Sequence, residues 1–217
     1  MEQKQIKVLI PADAVAKKIS ELADQLNERF GSEEIYYVCV LKGGVVFAVD
    51  LMKHLKMPIR IEFIRLSSYG SGTSTTGSIK AIDLQLPDLN GKNVVITEDI
   101  VDSGITAKFL IDYIKEHFQT KCTIFCSLLN KPARRKVEVE PDYYCFNVDD
   151  KFVVGCGLDF DGHYRNLDYI GYMEWLFQYE ICSETHQHIN YDLLTSLGAF
   201  LSAHFLYEHY YLIYMFF

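Results

Sequence analysis

Val94-Val95-Ile96-Thr97-Glu98-Asp99-Ile100-Val101-Asp102-Ser103-Gly104-Ile105-Thr106 reads as a buried strand, two adjacent acids and a short acid–hydroxyl–glycine–hydroxyl turn. A helical pattern follows at once, with Leu110, Tyr113, Ile114 and Phe118 on one face of residues 106–118. Like charges repel, so packing alone gives no reason to set Glu98, Asp99 and Asp102 so close together. Acids at the C-terminal end of a strand, beside a loop rich in amide and hydroxyl donors, can hold a sugar phosphate and its Mg²⁺. The plainer alternative is an N-cap, with Asp102 or Ser103 closing the helix start. Strand residues alternate between faces, so Glu98 and Asp99 are expected to face one ligand only once the strand has ended.

The rest of the chain supplies a frame for this motif. Strands are expected at residues 6–10, 36–41, 59–66, 94–97 and 123–129, with 143–148 and 152–156 as the last two. Helices are expected at 12–30, where Val15, Ile19, Leu22 and Leu26 recur at helical spacing, and at 45–56 and 106–118. Strands alternating with helices predict an α/β fold, a mainly parallel sheet flanked by helices. Ligands of such sheets bind beyond the C-terminal strand ends, where Lys42, Glu98, Asp99 and Lys131 all fall. Residues 67–78, rich in Ser, Thr and Gly, read as a mobile loop.

The formal net charge of −8 argues against non-specific nucleic-acid binding, which relies on a basic surface. The six cysteines include no Cys-x-x-Cys pair, so neither a disulfide framework nor a metal cluster is expected. The first residues lack the apolar core of a signal peptide, which makes the cytoplasm the default compartment.

Several residues read blandly when taken alone. Lys42-Gly43-Gly44 is either a strand-to-helix turn or an amide-lined diphosphate site, and it lacks the Walker spacing. Lys131 reads as solvated surface, and Arg134-Arg135-Lys136 as a solvated basic face. Phe152 reads as core and His163 as a loop histidine.

Taken together, six segments in order resemble the type I phosphoribosyltransferases, and among them the short bacterial hypoxanthine-guanine phosphoribosyltransferases. They are Leu41 to Gly44, Ser67 to Thr73, Val95 to Thr106, Asn130 to Arg135, Asp150 to Gly155, and Asp159 through Tyr164 to Leu167. The resemblance covers residues 6–174 and implies a phosphoribosyltransferase domain over 1–174 with a small hood region. It further implies purine salvage, a Mg²⁺ cofactor, phosphoribosyl diphosphate and 6-oxopurine substrates, and a homodimer or homotetramer.

The resemblance also assigns roles. Asp102 is the general base at purine N7, and Asp102, Ser103, Gly104, Ile105 and Thr106 bind the 5′-phosphate. Lys42, Gly43 and Arg165 contact diphosphate, with a cis peptide between Leu41 and Lys42. Glu98 and Asp99 serve the ribose hydroxyls and Mg²⁺, and Asp159 a second Mg²⁺. Lys131 donates to the 6-oxo group. Phe152 stacks on the base with Ile100 or Leu158 opposite, and Val153 and Asp159 read the 2-position. Ser68 and Tyr69 belong to a catalytic lid. Alternatives on the same fold are transfer to xanthine or a pyrimidine, and a non-catalytic regulator that binds nucleic acid.

Residues 175–217 match nothing in that family and form an unassigned aromatic-rich tail. The stretch 193–217 is apolar enough to raise the question of a membrane span, but Glu208, His204 and His209 weigh against one.

Overall fold

The computed structural model describes residues 3–68 and 79–176. Residues through Phe177 form one compact unit, and Gln178–Phe217 form a second that lies outside the described residues. The expectations for the 193–217 stretch therefore also lie outside them. Among the described residues, no helix is long and apolar enough to cross a membrane.

The first unit begins with β1 (Gln3–Ile10), α1 (Ala12–Phe30), β2 (Ile35–Leu41), α2 (Gly44–Met52), β3 (Ile59–Ser68) and β4 (Ile79–Asp83). It continues with β5 (Asn93–Val101), α3 (Ile105–His117), β6 (Cys122–Asn130), a 3₁₀ turn (Pro132–Arg134), β7 (Tyr143–Asn147), β8 (Val153–Val154) and β9 (Ile170–Leu176). The large sheet has the order β4-β3-β2-β5-β6-β7. Its pairs from β3 through β7 are parallel, and β4 alone runs antiparallel at the edge. The expected α/β class and mainly parallel sheet are therefore present.

Apolar periodicity explains the layers. Val15, Ile19, Leu22 and Leu26 of α1 pack with Phe47, Ala48 and Leu51 of α2 against Ile35, Tyr37, Cys39 and Val95 on one face of the sheet. Leu110 and Ile114 of α3 pack against Tyr36, Val38, Val94 and Ile96 on the other face. Alternate residues of β2 thus serve both cores, as they must in a strand buried on both sides. Each fully buried Leu or Ile contributes roughly 1.5–3 kcal/mol.

Several boundaries differ from expectation. Helix α2 stops at Met52 rather than residue 56. Asn27 donates to His54 O at 3.0 Å and accepts from Lys56 N at 2.8 Å, which holds that segment off the helix axis. The expected 152–156 strand shrinks to two residues, because Gly155, Cys156 and Gly157 all have positive φ. It is also not the last strand. Strand β9 pairs antiparallel with both β1 and β8, building a three-stranded hood in the order β1-β9-β8. Hood residues Val153, Cys156, Leu158 and Ile170 join the α1–α2 core.

Topology fixes where a ligand belongs. From β2 the chain passes through α2 to β3 on one side, and from β5 through α3 to β6 on the other. The strand order therefore reverses between β2 and β5, and the crevice at their C-terminal ends is the expected binding place.

Candidate active site

Strand β5 runs on to Val101, four residues past the expected end, so both acids lie within it. Its pairing with β2 stops at Cys39 with Thr97, while its pairing with β6 continues to Val101 with Asn130. From Glu98 onward, one edge of β5 is therefore open. Contrary to expectation the strand does not end before the two acids, and the open edge gives a ligand access beside them. Glu98, Asp99, Ile100, Asp102, Ser103 and Thr106 all line one concavity of about 210 Å³.

The electrostatics at this open edge are unfavourable to the bare protein. Burial pushes the Glu98 carboxyl well above the usual range, and the neighbouring Asp99 adds to the effect. Burial also raises Asp99 to about 6, with Asp159 pushing up and Arg165 and backbone amides pulling down. Asp99 Oδ1 accepts from Ile100 N at 3.0 Å. Its other oxygen lies so close to Gly43 that a Cβ there would overlap it.

Gly43 belongs to the second wall of the crevice. The peptide between Leu41 and Lys42 is cis, the geometry the resemblance implied. Lys42 is exposed and α2 starts two residues later. The hood closes down on this turn, so that a Cβ on Gly157 would overlap the Gly43 carbonyl. Arg165 Nη1 donates to Gly157 O at 2.5 Å, and its Nη2 meets Asp159 Oδ1 at 2.5 Å. Lys42, Gly43, Asp99, Asp159 and Arg165 thus surround one corner. Among the described residues no cluster of three or more acids, His or Cys forms a ready metal cage.

The loop after β5 forms the third wall. Gly104 takes a left-handed conformation, φ +79°, immediately before α3. A side chain there would also collide with Val139 and Arg135. Ser103 Oγ accepts from Ile105 N at a long 3.4 Å, so only a weak version of the expected cap exists. Most of the free amide ends of α3 remain available to an anion. Asp102 sits at the mouth, with its buried Oδ1 3.1 Å from Arg134 Nε. That oxygen accepts no well-formed hydrogen bond from the described residues.

A half-open aromatic site flanks this wall. Lys131 ends up only 5% exposed, which overturns the solvated reading, and its Nζ donates to Lys151 O at 2.5 Å. Burial lowers its pKa, against the pull of Asp102 and Asp150. Phe152 is 53% exposed, so it is not core, and it meets Phe160 edge-on at 5.5 Å. Val153 and Leu158 are buried in the core below, and Ile100 lines the concavity. Ser68 closes β3, and its partner across the hairpin is Ile79 of β4. Ser67 and Ser68 of the expected loop therefore belong to β3, and Tyr69 with the rest of it lies outside the described residues.

The pattern of the phosphoribosyl transferase domain family matches residues 8–161, spanning β1 to the Asp159 corner. The chain belongs to that family. A hypoxanthine-guanine phosphoribosyltransferase from Streptococcus thermophilus (strain CNRZ 1066) is 38% identical over 168 residues, 77% of this chain and 93% of its own. The crystal structure of a hypoxanthine-guanine phosphoribosyltransferase from Bacillus anthracis is 42% identical, with a TM-score of 0.73 over 79% of this chain and 99% of that one. That of a hypoxanthine phosphoribosyltransferase from Staphylococcus aureus is 34% identical, with a TM-score of 0.74 over 77% and 91%.

Two residues of this family member escaped the sequence reading. Phe160 supplies the edge against Phe152. Arg135, read as solvated, has a side chain only 10% exposed. Its acceptors include the main-chain carbonyls of Val101 and Asp102, which leave no mark in a sequence, beside the side chains of Asn130 and Glu140.

Proposed function

We propose that this chain is a purine salvage enzyme. It transfers the 5-phosphoribosyl group from phosphoribosyl diphosphate to N9 of hypoxanthine or guanine, giving IMP or GMP and diphosphate. The observation that carries this reading is the placement of Asp102. A carboxylate oxygen without a well-formed hydrogen bond sits beside amides suited to an anion. That pairing makes sense if one ligand brings a phosphate and another brings a proton to be removed.

In this reading the amides and hydroxyls of residues 103–106 hold the 5′-phosphate. Asp102 takes the proton from N7 as the bond to N9 forms, a step typically worth about 10²–10⁴ in rate. Lys131 leaves the Lys151 carbonyl to donate to the 6-oxo group, so a 6-amino base, which offers a donor instead, is rejected. Phe152 stacks on the base, with Ile100 or Leu158 on the opposite side. Main-chain groups at Val153 and Asp159 face the 2-position. Lys42, the Gly43 amide and Arg165 hold the diphosphate as it departs and stabilise its growing charge. Ser68 and Tyr69 begin the lid that excludes water from the cationic sugar.

Mg²⁺ fits the same corner, since two adjacent acids with raised pKa values form no ion pair among the described residues, and Arg165 only partly offsets the Asp99 charge. Glu98 and Asp99, with Asp159 for a second ion, would hold it through few protein oxygens plus water and phosphate, as Mg²⁺ favours. When bound, it neutralises diphosphate charge. The catalytic unit spans residues 1–174, acts in the cytoplasm and assembles as a homodimer or homotetramer, which light scattering would test.

The deciding experiment is product formation from phosphoribosyl diphosphate and Mg²⁺ with hypoxanthine, guanine, xanthine, adenine and uracil in parallel. Turnover of the first two, with or without xanthine, is expected. A folded protein that binds phosphoribosyl diphosphate yet turns over no base would be a regulator instead.

A further inference from the structure

The loop 101–104 is gripped by the strip 131–136, in which Lys131 serves the base but Arg135 is given no ligand contact. Arg135 Nη1 donates to Val101 O at 2.8 Å and to Asp102 O at 2.7 Å. The Lys136 amide donates to Ser103 O at 2.9 Å, and the Lys131 amide to Val101 O at 3.0 Å. Three consecutive carbonyls thus have donors from the strip 131–136. In a trans peptide the next N–H points opposite to its carbonyl. Holding the Asp102 and Ser103 carbonyls outward therefore turns the Ser103 and Gly104 amides the other way, and these residues line the concavity. No described residue accepts a hydrogen bond from either amide. Arg135 is itself fixed by the side chains of Asn130 and Glu140, and its Cδ lies against the Cα of Gly104.

We propose that Arg135 is a positioning residue that presets the amides of the phosphate cradle. It acts through the Val101 and Asp102 carbonyls without touching substrate. The inference rests on reading residues 103–106 as the 5′-phosphate cradle. Arginine suits the task because a planar fork can serve fixed acceptors while its stem fills the space beside Gly104. A lysine offers a point charge with no fixed plane. The preset matters because amides already aimed at an anion need no reorganisation when it arrives.

The test compares GMP with guanosine by calorimetry on the full chain, for wild type, Arg135→Met and Arg135→Lys. Wild type is expected to bind GMP far more tightly than guanosine. In Arg135→Met the GMP affinity should fall about tenfold or more, equivalent to roughly 1.4 kcal/mol, while guanosine affinity stays the same. Arg135→Lys should fall between, and the KM for phosphoribosyl diphosphate should rise in step while that for hypoxanthine holds. A lower melting temperature with an unchanged GMP-to-guanosine ratio would reduce Arg135 to a structural brace and overturn the inference. If Arg135→Met does not fold, the ratio in Arg135→Lys decides by the same criterion. A wild type that fails to distinguish GMP from guanosine would overturn the cradle reading itself, and this inference with it.

Discussion

The two ends of β5 carry similar residues in opposite circumstances. At its start, Asn93 donates to Glu33 Oε2 at 2.7 Å, and Lys121 Nζ lies 2.6 Å from the same oxygen. The Lys121 and Asn93 contacts hold the Glu33 carboxyl below its usual range. At its finish, the buried Glu98 and the half-buried Asp99 stand side by side and are pushed above theirs. Glu33 at the first end has a cation in direct contact, whereas Glu98 and Asp99 form no ion pair among the described residues and only Asp99 feels the pull of Arg165. One end of the strand is built to be held, and the other to receive something.

The largest effect that would break this contrast is catalytic. Asp102→Asn should lower turnover by about 10²–10⁴ while GMP binding stays nearly intact. Steady-state kinetics beside calorimetry would check this, and equal losses in both would remove Asp102 from its role as base. Next, Lys131→Ala should weaken discrimination against adenine by about tenfold or more, since the 6-oxo group loses its charged donor. Relative kcat/KM values for hypoxanthine and adenine give the answer, and an unchanged ratio would free Lys131 of that role.

A smaller effect sharpens the contrast through stability. Asp99 has a folded pKa of about 6 against an ordinary value of 3.8. Above both values the carboxylate is ionised in both states, and the folded chain bears the desolvation. Below both it is protonated in both, and the penalty is gone. Stability therefore falls as pH rises through that window, because the folded state binds more protons there. Asp99→Asn should be more stable than wild type at pH 8 by about 1–3 kcal/mol, with the gap closing near pH 4. Denaturant melts at the two pH values would show it, and a variant less stable than wild type at pH 8 would contradict the account. At the other end of β5, Glu33→Ala should shift the melting temperature by only about a degree and leave kcat/KM unchanged, as exposed pairs contribute little. A large loss of activity there would erase the distinction between the ends.

Much of this was legible in the sequence because it is written locally. The apolar runs of β2 and β5, the periodicity of α1 and the acid–glycine–hydroxyl turn each carry their own signal. What was hidden depends on partners far along the chain. Strand β9 exists because residues 3–10 and 153–154 flank it, and Gly171 near its start offers little strand propensity. The continuation of β5 past Thr97 is set by β6. Lys131 and Phe152 exchanged their expected exposure because the 3₁₀ turn at Pro132 draws the lysine inward and the hood leaves the ring outside. Arg135 looked like one cation among three neighbours, and the carbonyls of another loop distinguish it.

The contact between Gly157 of the hood and the Gly43 carbonyl carries a lesson for engineering. With φ of +100° and no room for a methyl group, Gly157 behaves as a keyed joint between the two sheets. A hood transplanted from a relative to alter base preference would seat only if it brought a glycine at that joint, with the arginine eight residues later that latches it. Swaps that splice between them would separate the key from its latch, and the diphosphate corner would lose its roof before any base had been chosen.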